Sequence, residues 1–261
     1  MVALRVDGAP NDNLAEIADG IFEDWLLTAE GEPTPLSCFA TFNPSTYSPK
    51  EKWSTVAYVD TGSVTRNHFE RPMVIDTATE ELPSRARRKV ENGDVVYSTV
   101  RPNQLHYGIM CNPPNNMLVS TGFTVVRDSM GVGGPFIYLA LTRSSITTKL
   151  QSVAEQSTSA YPSIKSSDLE QLEIPMPTQE EVEKVRPQLD SLFTAIAHNE
   201  NESKTIAGLR DALLPKLMSG EIDVSKVDIT QLNYHLLVVA HRARNQLIDV
   251  TVLDIQMSGV C

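Results

Sequence analysis

Leu14, Ile17, Ala18, Ile21, Phe22 and Trp25 recur at spacings of one, three and four. That pattern puts them on one face of a helix, expected over Asn11 to Leu27. Asp12 or Asn13 can cap it, with Glu16 close by for a capping box. Gly31 to Pro49 is punctuated by Pro33, Pro35, Pro44 and Pro49, so it reads as loop with short extended pieces. Alternation and β-forming residues then predict strands at Trp53 to Val59, Val95 to Val100, Tyr107 to Cys111, Met117 to Ser120 and Phe123 to Arg127. The turn Asn92-Gly93-Asp94 starts the second of these. Ile137 to Leu150 reads as one helix. Many short strands with a few helices argue an α+β domain.

The pattern changes at Thr178. Val182, Val185, Leu189, Leu192, Ile196, Asn199, Ser203 and Ile206 alternate spacings of three and four, which is a heptad seam. With a shifted phase it continues through Leu209, Leu213 or Leu214, and Leu217. About 40 residues of helix span on the order of 60 Å. One such helix cannot bury its seam alone and needs a second helix, in the same chain or another. Asn199 and Ser203 are polar seam positions able to set register. Pro187 predicts a kink or a late start, Pro215 a bend, and Ser219-Gly220 a stop. Gly208 weakens the middle by about 1 kcal/mol relative to Ala. The expected organisation is therefore a helix in 1–27, a domain in 28–177, a long coiled-coil helix in 178–222, and a tail in 223–261 with no assignable role.

Charge complicates the picture. The 261 residues carry a formal net charge of −11 with 41% hydrophobic residues. A packed core is expected, not disorder. Splitting the chain does not change the sign: residues 1–160 hold 13 Lys and Arg against 18 Asp and Glu, and residues 161–261 hold 9 against 15. A protein that binds DNA alone usually shows a basic surface. Either cations cluster on one face, or a partner supplies phosphate contacts. Cys38, Cys111 and Cys261 are widely spaced, so a reducing cytoplasm is the simplest home. Leu236 to Ala240 is too short to span a bilayer, and Met1 to Asp7 lacks a signal-peptide pattern.

Arg85-Ala86-Arg87-Arg88-Lys89 is the densest basic run. Such a run is usually a solvated face; in an acidic chain it is the best candidate for phosphate contact. Arg66 and Arg71, near Asn67 and His68, form a weaker one. Ser98, Thr99, Arg101, Asn103, Gln104 and His106 sit close together and suit a DNA-facing loop, since Arg, Asn and Gln bond base edges in the major groove. A structural role for each stays open; Arg101 in particular fits a residue holding carboxylates or carbonyls beneath a sheet. Ser157 to Lys165 either closes the domain or touches DNA, with Tyr161, Ser163 and Lys165 as its candidates. Asn112-Pro113-Pro114-Asn115 looks like an adenine-methyltransferase motif, but Asn115 stands where an aromatic would stack on the flipped base. A polar turn is the better reading. No catalytic constellation, phosphate loop or metal-ligand spacing is present.

Residues 151–223 carry an ordered set of short motifs: Gln151-Ser152-Val153-Ala154-Glu155-Gln156-Ser157, Tyr161-Pro162-Ser163-Ile164, Asp168-Leu169, Ile174-Pro175-Met176-Pro177, Gln179-Glu180-Glu181-Val182, and Leu209-Arg210-Asp211-Ala212-Leu213-Leu214-Pro215-Lys216-Leu217. Their order resembles the specificity subunits of type I restriction–modification systems. Gly93 to Asn103 resembles that family's central strand and Arg-Pro turn, and Ile17 to Trp25 the helix before a recognition domain. The resemblance covers roughly Asn11 to Ile229.

It implies a target recognition domain of short twisted strands and a few helices, followed by a spacer helix. Full members carry two of each, so this chain looks like a half-length form, natural or truncated. It implies a non-catalytic subunit that reads one half of a split double-stranded DNA target. The spacer would pair with its equivalent in a second copy, giving a homodimer and an interrupted palindrome. S-adenosylmethionine would be bound by the partner methyltransferase, not by this chain, and a restriction subunit joins some complexes. The rival reading is an acidic coiled-coil adaptor or DNA mimic that binds the methyltransferase without reading DNA.

Overall fold

The structure, a computed structural model, describes residues 9–156 and 162–221. It divides into two compact units, one ending at Ser203 and the other beginning at Lys204. The first unit therefore runs through the boundaries expected near residues 27 and 177.

Helix α1 (Ala9–Thr28) forms where the apolar period predicted it. Its buried Ala18, Phe22 and Trp25 enter the core. There the rings of Phe22 and Trp25 meet Phe136 edge-on at 5.1 and 4.8 Å. Strands follow: β1 (Pro33–Pro35), β2 (Ala40–Phe42), β3 (Thr55–Val59), β4 (Val64–Thr65), β5 (His68–Phe69), β6 (Met73–Asp76), β7 (Ala86–Lys89), β8 (Val95–Ser98), β9 (Tyr107–Ile109), β10 (Met117–Ser120) and β11 (Phe123–Asp128). The chain continues with α2 (Gly134–Thr142), α3 (Ser144–Glu155), α4 (Ser166–Glu170), β12 (Glu173–Pro175) and α5 (Gln179–Met218). β1 and β12 pair antiparallel and close the domain.

Two four-stranded sheets run β6-β3-β10-β7 and β2-β11-β8-β9. Alternation along the strands decides how they stack. Ala57, Val59, Met117 and Val119 of the first sheet meet Val96, Phe123 and Val125 of the second in one apolar cluster. The opposite-facing residues of the second sheet, Val95, Tyr97 and Val126, pack in a larger cluster with α1, α2, α3 and α5. The outer face of the first sheet buries Val56, Tyr58 and Leu118 beneath Tyr47.

Register then sorts the loops. Ser98 pairs with Phe123, Tyr97 with Tyr107, Ser120 with Ala86, and Val59 with Val119. Segments leaving β3, β8 and β10 and entering β7, β9 and β11 thus gather at one end of the sandwich, the loop-rich end. Residues 90–94 and 110–116 lie at the opposite end.

Three expectations change. The helix expected at Ile137 to Leu150 is two helices, broken where Arg143 takes extended backbone (φ −54°, ψ 140°). Its guanidinium bonds Glu23 of α1 at 3.0 Å. α5 begins at Gln179 and runs through both Pro187 and Pro215. Pro187 lies on the exposed face, so the backbone group it leaves unpaired is available to water, while its neighbours Val185 and Leu189 are buried. Finally, the first half of the seam faces its own domain. The buried stripe is Val185, Leu189, Phe193 and Ile196, so Phe193 joins the heptad positions on the covered face. Val182 and Leu192 flank it against the same cluster. Asn199 donates its side-chain N–H to Asn11 Oδ1 at 2.9 Å. These residues are covered within the chain and offer a partner helix little surface.

Beyond Ser203, which is exposed, the second unit is described to Glu221. Ile206, Leu209, Leu213, Leu214 and Leu217 of its helical part are all exposed, from 59% at Ile206 to 42% at Leu217. No helix among the described residues is long and apolar enough to cross a membrane.

Candidate nucleic-acid interface

The loop-rich end brings together most of the polar candidates. β4 and β5 form a hairpin whose two turn residues, Arg66 and Asn67, have φ of 47° and 65°. Both are left-handed, as a two-residue turn matching the strand twist requires. The tip is fixed to the loop entering β9: Arg66 N–H donates to Leu105 O at 2.9 Å and Asn67 N–H to Tyr107 O at 2.8 Å. Asn67 Oδ1 accepts from Ile109 N–H at 2.8 Å. Phe69 lies over Gly108, where any added Cβ would come within 2.6 Å of the ring. Burial pushes the Tyr107 hydroxyl up, and the Arg66 guanidinium pulls it partly back.

Arg101, Asn103 and Gln104 are exposed on a one-turn 3₁₀ helix, Pro102–Gln104, that follows β8. Arg101 N–H donates to Pro162 O, and Ile164 N–H to Thr99 O, both at 2.9 Å. Ser163 bridges Val100, which carries Lys165 to the same end. Arg85, one residue before β7, accepts from Thr121 N–H through its carbonyl at 2.9 Å. Arg71 enters β6 at this end too, since Met73 pairs with Tyr58. Five exposed cations, Arg66, Arg71, Arg85, Arg101 and Lys165, therefore share one end of a chain whose net charge is −11.

Several expected contacts are instead structural. Ser98 is 2% exposed, and its hydroxyl bonds the backbone of Val100. Half-buried Thr99 donates its hydroxyl to Gly122 O at 3.0 Å. His106 holds the hairpin, its Nδ1 2.6 Å from Val64 O and 3.2 Å from the Thr65 hydroxyl. The basic run does not form one charged face, because it is a strand. β7 is flanked by β10 on one side and on the other by residues 45–47, through Tyr47 N–H to Arg87 O and Lys89 N–H to Ser45 O. The register shift opposite Val119 and Ser120 makes Arg87 a bulge. Arg88 is half-buried; desolvation lowers its pKa, and its Nε is buried without a partner among the described residues. Lys89 pairs with Glu51 and sits 5.2 Å from the centre of the Trp53 ring. Arg85 and Arg87 are the members left for a phosphate. Tyr161 lies outside the described residues.

Beneath the sheet lies Arg127. Its Nε and one terminal nitrogen donate to the two oxygens of Asp94, both at 2.8 Å, and the other nitrogen pairs with Glu91 at 2.6 Å. Asp94 is 1% exposed, and hydrogen bonding to it holds the Arg127 pKa high. This staple belongs to the opposite end. A cleft of about 770 Å³ opens there, lined by Asp94, Arg127, Asp128, Arg186 and Asp190 among others. Its main charges are mutually occupied: Asp128 accepts four backbone N–H groups of the 130–133 loop, and Arg186 bonds Gly131 O and Asp190. Among the described residues no cluster of His, Cys, Asp or Glu forms a metal site.

A mixed helix-and-strand domain followed by a 40-residue helix has counterparts among known proteins. The chain is 26% identical over 162 residues to the specificity subunit of the type I restriction enzyme HindI of Haemophilus influenzae, covering 62% of this chain and 35% of that subunit. The HsdS subunit of Thermoanaerobacter tengcongensis superposes with a TM-score of 0.51 at 21% identity, over 76% of this chain and 50% of that one. The chain is related to the specificity subunits of type I restriction–modification systems. A second solved chain, from work on complex assembly and conformational transition of the type I R-M system, gives a TM-score of 0.50 at 22% identity, over 76% and 51% of the two chains. No family model matches. This relative of the specificity subunits thus spans about half the length of the solved subunits and about a third of the curated one, and shares with the solved ones an α+β fold and a long helix.

Proposed function

We propose that the chain is a non-catalytic DNA-specificity subunit of a type I restriction–modification complex and reads one half of a split target. The observation that carries this reading is the gathering of Arg66, Arg71, Arg85, Arg101 and Lys165, with Asn103 and Gln104, at one end of the domain. Cations there would position phosphates, and the amides and guanidinium would meet base edges in the major groove. The partner methyltransferase subunit would bind S-adenosylmethionine, flip an adenine and transfer the methyl group; a restriction subunit would join the same cytoplasmic assembly. The exposed stripe Ile206, Leu209, Leu213 and Leu217 would meet its equivalent in a second copy, so that two identical domains read an interrupted palindrome.

The test is a methylome. The chain is co-expressed with its methyltransferase in a host free of DNA methylation, and N6-methyladenine is mapped. A split palindromic motif that disappears without this chain establishes the reading. An asymmetric split motif replaces the homodimer by a pair of different half-subunits. No motif from a soluble, associated pair rejects DNA reading. That last outcome favours the acidic DNA mimic, which the net charge of −11 supports. A mimic would keep methyltransferase binding unchanged when Arg85, Arg87, Arg88 and Lys89 are replaced by Ala.

A further inference from the structure

The described residues include seven non-glycine positions with positive φ, and four of them, Arg66, Asn67, Arg101 and Leu105, lie in the two touching loops of the loop-rich end. Asn67 and Arg66 are explained by their hairpin turn. Arg101 (φ 49°, ψ 70°) and Leu105 (φ 59°, ψ 35°) are not: they bracket the Pro102–Gln104 turn, and neither is a residue type that commonly adopts this backbone, as Gly, Asn and Asp do. Backbone of this kind persists only where its surroundings over-determine it, and it concentrates at functional sites.

The surroundings are visible. Pro102 is buried beneath the turn. Leu105 packs against the main apolar cluster. The turn is bonded at its start by Pro162, at its end by Arg66, and at its middle by a side chain: Asn103 N–H donates to Gln151 Oε1 at 3.2 Å. Gln151 is half-buried on α3, and its own Nε2 donates to Glu155 Oε1 at 2.8 Å. Helix α3 thus holds, through Gln151, the middle of a turn whose Asn103 and Gln104 side chains are exposed.

We infer that the Pro102–Gln104 turn is the element that discriminates bases, and that Gln151 is its positioning residue. This rests on the proposed reading of DNA. A side-chain amide in the major groove matches the N7 acceptor and N6 donor of adenine, so at least one A·T pair of the half-target is read here. The basic strand β7, half-buried and ion-paired, contributes position and not sequence.

The experiment is the same methylome, run on the full chain with its methyltransferase, with folding of each variant followed by thermal unfolding. Gln104→Ala and Asn103→Ala are expected to relax the motif at single A·T positions of one half-site, with discrimination falling roughly tenfold or more at that pair. Gln151→Ala is expected to relax the same positions while overall duplex affinity and its salt dependence stay unchanged. The paired exchange Gln151→Glu with Glu155→Gln keeps an acceptor for Asn103 N–H and reverses the donor between the two side chains, so it restores the motif. A merely structural glutamine would lower the unfolding temperature without altering which bases are methylated, and that result overturns the inference. So does a motif unmoved by Gln104→Ala and Asn103→Ala. Absence of any motif from the wild-type pair removes the reading of DNA and the inference with it; a wild-type motif unmoved by these variants removes the inference alone.

Discussion

The two ends of the sandwich handle charge in opposite ways. At the opposite end each carboxylate described above already has work: Asp94 and Glu91 hold Arg127, Asp128 caps a loop, and Glu51 holds Lys89. At the loop-rich end five cations stand exposed, and two of them, Arg66 and Arg101, have left-handed backbone. The carboxylates named at the first end help hold the fold; the five cations named at the second are exposed. The lesson is that a net charge of −11 is an average over residues with different duties. On the proposed function, what decides whether DNA can approach is the few cations that strand register collects.

The largest test of this difference is electrostatic. Replacing Arg66, Arg85, Arg101 and Lys165 by Ala should remove about four phosphate contacts, each worth about 0.9 in the slope of log affinity against log salt. Between about 50 and 200 mM salt the wild type should then lose about a hundredfold more duplex affinity than the variant, by anisotropy titration of the complex. Replacing Lys50 and Lys52 at the opposite end should leave the slope unchanged.

The comparison also runs along α5. Leu189→Ala empties a buried site and should destabilise the first unit by about 2–5 kcal/mol in urea unfolding. Leu213→Ala, at an exposed position, should change that transition by less than about 0.5 kcal/mol. Leu209→Glu with Leu213→Glu should instead shift the sedimentation of the chain toward the monomer. An unchanged sedimentation coefficient would place self-association elsewhere.

Arg127→Ala should cost about 3 kcal/mol, because it leaves the buried Asp94 carboxylate without its partner. The methylated motif should survive wherever the protein still folds, which separates the staple from the loop-rich end.

The last effect is alkaline. Burial pushes the Tyr97 hydroxyl up to about 12, so between pH 10 and that value the unfolded chain has lost a proton that the folded one retains. Stability should therefore fall as pH rises through this window, by about 1.4 kcal/mol per pH unit for one group. Tyr97→Phe should flatten that slope by one proton. Burial of Tyr138 raises its pKa in the same sense and adds a second component.

Elements with strong local patterns were legible in the chain. The amphipathic period of α1 and the alternation of β10 and β11 depend on neighbours in sequence, and the structure has these elements within a residue or two. β4, β5 and β7 were not legible. β4 and β5 are two residues long, and β7 is three charged residues after an alanine. Such segments become strands only because a partner strand is already in place. The basic run misled for the same reason: local charge suggested a solvated face, whereas pairing with β10 and residues 45–47 turned Arg88 inward. Gln151 carried a family motif in sequence, but its bond to Asn103 spans 48 positions. No spacing rule reports that.

What the sequence determined by itself is the α+β class, the long helix beyond Thr178 and the kinship with specificity subunits. All three are written in periodicity, residue type or motif order, which are properties of neighbours along the chain. What only the tertiary structure decided is which cations share an end, which half of the seam is already covered, and which arginine is a staple. Those depend on strand register and helix docking, and both are set by burying apolar faces between residues far apart in sequence.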